Sequence, residues 1–198
     1  MAVEAALVLP LLFTMLFGIV DLSLLVRDEV STTSATRIAA RIAATGAGSG
    51  PGTCQTGPTA PVCTPESSPA LAQAAADAIQ RSGMSMPKAS IDYILIYKAN
   101  SDGFPGALTS MPTSCEGLSA CVMFKWNVPL EKFKFQTGAW DSKTINGCLN
   151  QSDMVGVYMH ATHKWASGIF GTSSSIDDHA VTRFEPLDPQ TCAPGTHQ

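Results

Sequence analysis

Between Ala5 and Val20 the chain carries no charged side chain, and no other stretch so narrows what it can fold into. Those positions make about 24 Å of helix, short of the ~20 residues that usually cross a bilayer. Beyond Asp21, the apolar character resumes through Leu22, Leu24, Leu25 and Val26. Counted to Val26, the run reaches about 22 residues, an adequate span. Pro10 frees the carbonyl of Ala6 and favours a bend, and Gly18 adds a second soft point. A secretory signal peptide is the alternative, but it calls for a basic start, and none is present here.

The helical pattern does not stop where the apolar run ends. From Arg27 to Thr45 there is neither Gly nor Pro. Val30, Ser34, Ile38 and Ile42 recur four apart on one stripe, and Ala35, Ala39 and Ala43 form a second stripe of small side chains. One continuous helix over residues 1–45 follows, apolar all round at first and amphipathic later. The alanines either let another helix approach closely or reflect helix propensity alone.

Gly46 ends the helix. The stretch GAGSGPGTCQTGPTAPVCTPESSP then makes 46–69 a loop. A head domain occupies 70–198. Its helix has Ser68 as N-cap, Pro69 in the first turn and Gly83 at the end. Leu71, Ala75, Ala78 and Ile79 are its buried stripe. Four strands are expected, at Ile91–Lys98, Cys121–Val128, Met154–His163 and Asp178–Glu185. The first has almost no polar interruption and reads as central. No crossover helix separates the later strands, so the sheet is antiparallel and the fold class is α+β.

Six cysteines, Cys54, Cys63, Cys115, Cys121, Cys148 and Cys192, all lie beyond the apolar segment. An even number so placed fits an oxidising compartment. Short loops close at low entropic cost, which favours Cys54–Cys63, Cys115–Cys121 and Cys148–Cys192. Free buried thiols are the alternative. Zinc is disfavoured because no Cys-x-x-Cys pair occurs. The net charge of −4 comes without a basic run, so nothing points to nucleic acid.

Catalytic patterns are lacking. There is no G-x-S-x-G elbow, no H-E-x-x-H and no phosphate-cradling glycine loop. His160 and His163 are three apart, which on a strand places them on opposite faces. Neither an enzyme, a metal site nor a cofactor is expected. Only convergence of His160, His163 or His179 with carboxylates in one pocket would revive an enzymatic reading.

The carboxylates of the apolar helix then stand out. An acidic group at the bilayer centre costs about 2.5–3.5 kcal/mol, so Glu4 and Asp21 call for partners. Glu4 can meet its own α-amino group or a neighbouring subunit's N-terminus, and Asp21 can meet a neighbour's Arg27. Alternatively, both sit near the two interfaces and stay solvated.

The run VEAALVLPLLFTMLFGIVDLSLL resembles the N-terminus of the TadE-like pilins of Tad/Flp pilus systems, through Val3, Glu4, Ala6, Leu7, Pro10, Gly18 and Asp21. ATRIAARIAATG resembles the small-residue helix that follows there. VGVYMHATHKWASGIFG and HAVTRFEP resemble that family's final strands and its ending, here Arg183, Glu185 and Pro186. Glu4 stands at the fourth position where the family usually has its glutamate fifth, and Ala5 replaces a frequent aromatic residue. Met1 is read as the mature start, as an alternative start codon or as an artefact of expression.

The resemblance implies a pilin-like structural subunit, main or minor, whose hydrophobic N-terminal helix assembles into a bacterial extracellular pilus. Glu4, Pro10, Gly18 and Asp21 would serve assembly. Implied partners are copies of itself or other pilins in a helical filament, a prepilin peptidase and the pilus assembly platform. The subunit would wait in the cytoplasmic membrane with its head outside the cytoplasm. The alternatives are a non-polymerising single-pass envelope protein that binds a partner and an anchored enzyme with an unrecognised site.

Overall fold

The computed structural model describes residues 2–54 and 66–196, with side chains over 7–52 and 67–196. Helix α1 runs unbroken over Ala2–Ala44, with Pro10 inside it. A short hairpin of β1 (Pro51–Cys54) and β2 (Glu66–Pro69) leads into α2 (Ala70–Arg81). Five further strands follow: β3 (Ile91–Ala99), β4 (Cys121–Asn127), β5 (Lys132–Ala139), β6 (Met154–Lys164) and β7 (Ser173–Arg183). They form one antiparallel sheet in the order β5-β4-β3-β6-β7.

The central place of β3 follows from burial on both faces. Ile94 and Ile96 point into the main core beneath the helices. Leu95 and Tyr97 point the other way, into a smaller core closed by the segment that carries Met111, Cys115 and Leu118. A strand covered on both sides has no polar face, hence the nearly continuous apolar run IDYILIY. Gly156 lies opposite Tyr97, and a β-carbon there would sit 2.4 Å from the tyrosine ring. Only glycine leaves room for that ring, whose hydroxyl donates to the Gly103 carbonyl at 2.9 Å.

The second half of α1 packs on α2, β6 and β7. Its buried stripe is the small one: Ala35, Ala39, Ala40, Ala43 and Ala44 are all at most 4 % exposed. Facing them, α2 buries Leu71, Ala72, Ala75, Ala76, Ala78 and Ile79. Side chains this short let two helices approach closely, and interaxial distance depends on the residues at the contact. Just past the end of α1, a β-carbon at Gly46 would lie 2.7 Å from that of Leu71, so only glycine fits there.

Three details depart from expectation. The sheet has a fifth strand, β5, at the edge, where Lys132 and Lys134 alternate with Phe133 and Phe135. Lysines on an edge strand discourage pairing with another chain. The Gly/Pro-rich segment contains a hairpin rather than loop alone. Ser68 does not cap α2; Pro69 occupies the N-cap with no side-chain hydrogen bond.

Disulfides join Cys115 to Cys121 and Cys148 to Cys192. The expected Cys54–Cys63 pair lies outside the described side chains.

Candidate functional site: the exposed helix and its attachments to the head

Over Leu7–Ala44, α1 is long and apolar enough to cross a membrane. From Leu7 to Val20 almost every side chain is exposed, with Gly18 the exception. Beyond that point one face turns into the head. Asp21 and Asp28 lie two turns apart on this face, and each carboxylate ends in the head rather than in solvent.

Asp21 is 1 % exposed. Its Oδ1 accepts the backbone N–H of Ala166 at 3.1 Å, and its Oδ2 accepts that of Ser167 at 3.2 Å. The Ser167 hydroxyl also donates to Oδ2. The acceptor-only carboxylate therefore meets three donors from the β6–β7 turn. The expected partner was a neighbour's Arg27 or water. Within the single chain it is this turn, and Arg27 itself is exposed. Beside it, Phe170 lies 3.6 Å from where a Gly18 β-carbon would sit.

Asp28 ties α1 to two other places. Its Oδ2 meets Nδ1 of His163 on β6 at 2.8 Å, and its Oδ1 accepts the Ser85 hydroxyl at 2.6 Å. The Ser85 N–H donates to the Ser31 hydroxyl at 3.0 Å. Since the carboxylate only accepts, His163 donates through Nδ1–H. His163 is 5 % exposed, and Trp165 packs against its ring edge-on.

The far end of α1 is held as well. The Ala44 carbonyl, one of the last four that a helix leaves unpaired, accepts the N–H of Glu185 at 3.0 Å. Next to it Phe184 is buried against Trp140, and Arg183 donates to the Ser152 carbonyl at 3.0 Å.

On the opposite face of the same helix, Val30, Ile38 and Ile42 are 65 %, 44 % and 38 % exposed. Together with Ser34 they line a shallow groove edged by Glu29, Arg37 and Arg41. This stripe is more hydrophobic than the alanine stripe, yet it is the one left uncovered. Glu4 is in α1, but its side chain lies outside the described residues. Pro10 lies inside the exposed part of the helix.

His160 and His163 do meet carboxylates, but not in one shared pocket, and His160 does so on a partly exposed surface of the sheet. His163 faces α1, whereas His160 lies on the other face of the sheet, between Asp177 at 2.5 Å and Asp92 at 3.7 Å. Tyr93 stacks on His160, and the Tyr158 hydroxyl donates to Asp177 at 2.7 Å. Partial burial pushes the Asp177 carboxyl up, but Tyr158 and His160 outweigh it and hold it below the usual carboxylate range. His179 stacks on Phe104 instead. Among the described residues no group of three or more His, Cys, Asp or Glu could hold a metal ion.

Fold and site define an α+β head fastened along half of a long helix whose other half is apolar and uncovered. Residues 1–41 match the family described as TadE-like protein. The C-terminal likeness around Arg183, Glu185 and Pro186 lies outside the matched residues. No curated protein and no solved structure matches the chain.

Proposed function

We propose that the chain is a pilin-like structural subunit that assembles through α1 into a Tad-type pilus, as main or minor subunit. The observation that carries this reading is the uncovered stripe of Val30, Ile38 and Ile42 on a helix whose other face is locked to the head. The stripe runs on from the exposed apolar residues of Leu7–Val26, so α1 offers an apolar surface longer than a bilayer needs. Neighbouring subunits would cover it. The match over residues 1–41 supports the same reading.

Before assembly the subunit would wait in the cytoplasmic membrane, with the head outside the cytoplasm. Disulfides in the head suit that compartment. A prepilin peptidase and the assembly platform would be its handlers, other pilins its partners in a helical filament. Glu4 would pair with a neighbour's N-terminus; Pro10 and Gly18 would adjust the helix during packing. The role is structural rather than catalytic.

The test is incorporation into sheared filaments. Glu4→Ala should reduce incorporation while membrane insertion persists. Unchanged incorporation would refute the charge-pairing role of Glu4. Absence of the wild-type chain from filaments, despite stable membrane residence, would favour a non-polymerising anchored protein.

A further inference from the structure

The β6–β7 turn, Trp165 to Thr172, projects alongside the part of α1 that is apolar all round. It touches that helix at Gly18 and Asp21. The charged triplet Arg27, Asp28 and Glu29 marks where the apolar run stops. Gly18 lies eight residues before Val26, hence about 12 Å inside that limit, and Asp21 about 8 Å inside. The turn thus reaches past the edge of the apolar span, not merely up to it.

Its composition suits that depth. Ile169 and Phe170 are each 47 % exposed, and Trp165 packs between Phe170 and His163. Trp is favoured at the boundary between acyl chains and headgroups. Lys164, exposed at the entrance to the turn, carries a charge that can extend to lipid phosphate. The Asp21 carboxylate, costly in lipid if bare, is covered by the turn's own N–H groups and hydroxyl.

We propose that this turn is a second membrane-contacting element, which seats Trp165, Ile169 and Phe170 in the bilayer interface beside α1 and seals Asp21 from lipid. The occupant of the exposed patch is the lipid interface, because the patch is continuous with the apolar surface of the span itself. The inference rests on reading Leu7–Val26 as a membrane anchor. The turn would fix the rotation and depth of the head relative to the bilayer, which a lone helix leaves free.

The test uses the full chain in liposomes containing lipids brominated either near the carbonyl end or near the methyl end of the acyl chain. Wild type should co-float with the liposomes, and its tryptophan emission should be quenched more by the shallow bromines. Trp165→Phe should lose that quenching, and Ile169→Trp, at an exposed site, should add to it. A chain that co-floats but shows the same quenching with and without Trp165, and no gain with Ile169→Trp, would overturn the proposal and leave the anchor reading intact. A chain that does not co-float would overturn both.

Discussion

The carboxylate of Asp28 and the imidazole of His163 meet at 2.8 Å although 135 positions separate them in the chain. This contact, the Asp21 clamp and the Ala44–Glu185 backbone bond fasten one face of α1 to the head along more than six turns. The other face is thereby held in a defined direction relative to the head.

Removing one partner of the Asp28–His163 pair leaves the other buried and unpaired, which costs about 1–3 kcal/mol. Asp28→Ala is therefore expected to lower the denaturation midpoint of the solubilised full chain, and to strand Ser85 as well. Asp28→Asn keeps one acceptor oxygen for His163 and turns an NH2 toward the Ser85 hydroxyl, which can accept it, and should lose less. Equal losses in the two variants would show that the hydrogen bonds contribute little.

The two stripes of α1 should respond oppositely. Ala39 is fully buried in the seam, so Ala39→Leu forces the helices apart at about 1–3 kcal/mol. Ile38, one position away, is 44 % exposed. Ile38→Glu should change head stability by less than about 0.5 kcal/mol yet impair incorporation into filaments. Thermal melts and filament immunoblots on the same pair of variants separate the two effects.

All three tyrosines should resist alkali. Burial pushes the Tyr97, Tyr158 and Tyr93 hydroxyls above the usual tyrosine range, with the Asp177 carboxylate adding to the effect at Tyr158 and Tyr93. A raised folded value means that this stabilisation is complete below the unfolded value of about 10 and is lost as pH rises past it. Tyrosinate absorbance should thus grow together with loss of circular dichroism. Free titration near pH 10 in a folded head would contradict this.

The two disulfides among the described residues close loops of different length, with sequence separations of 6 and 44. On chain entropy alone, Cys115–Cys121 should contribute roughly 2 kcal/mol and Cys148–Cys192 roughly 4. The longer one also holds the C-terminal segment, where the Gly147 N–H donates to the Cys192 carbonyl at 2.9 Å. Urea unfolding of the double Cys→Ser variants would rank them.

Periodicity made the continuous α1, the buried stripe of α2, the central position of β3 and the opposed faces of His160 and His163 legible in sequence. Strand β5 was legible in principle from the alternation of Lys132, Phe133, Lys134 and Phe135, but its lysines made it read as a polar connection. Which stripe of α1 is buried was not legible. Hydropathy favours Val30, Ile38 and Ile42, whereas close approach of α2 favours alanine, and only the position of α2 decides. The partner of Asp21 was equally hidden. Its donors are mainly backbone N–H groups 145 and 146 positions away, and backbone donors carry no side-chain signature.

The central claim is that the uncovered stripe of α1 is an assembly face. A photo-crosslinking residue at Ile38, compared with one at the buried Ala39, tests it most directly in cells that make pili. The account expects the probe at Ile38 to capture another pilin subunit and the probe at Ala39 to remain within its own chain. Capture from neither position, in a protein that is folded and membrane-resident, would contradict it.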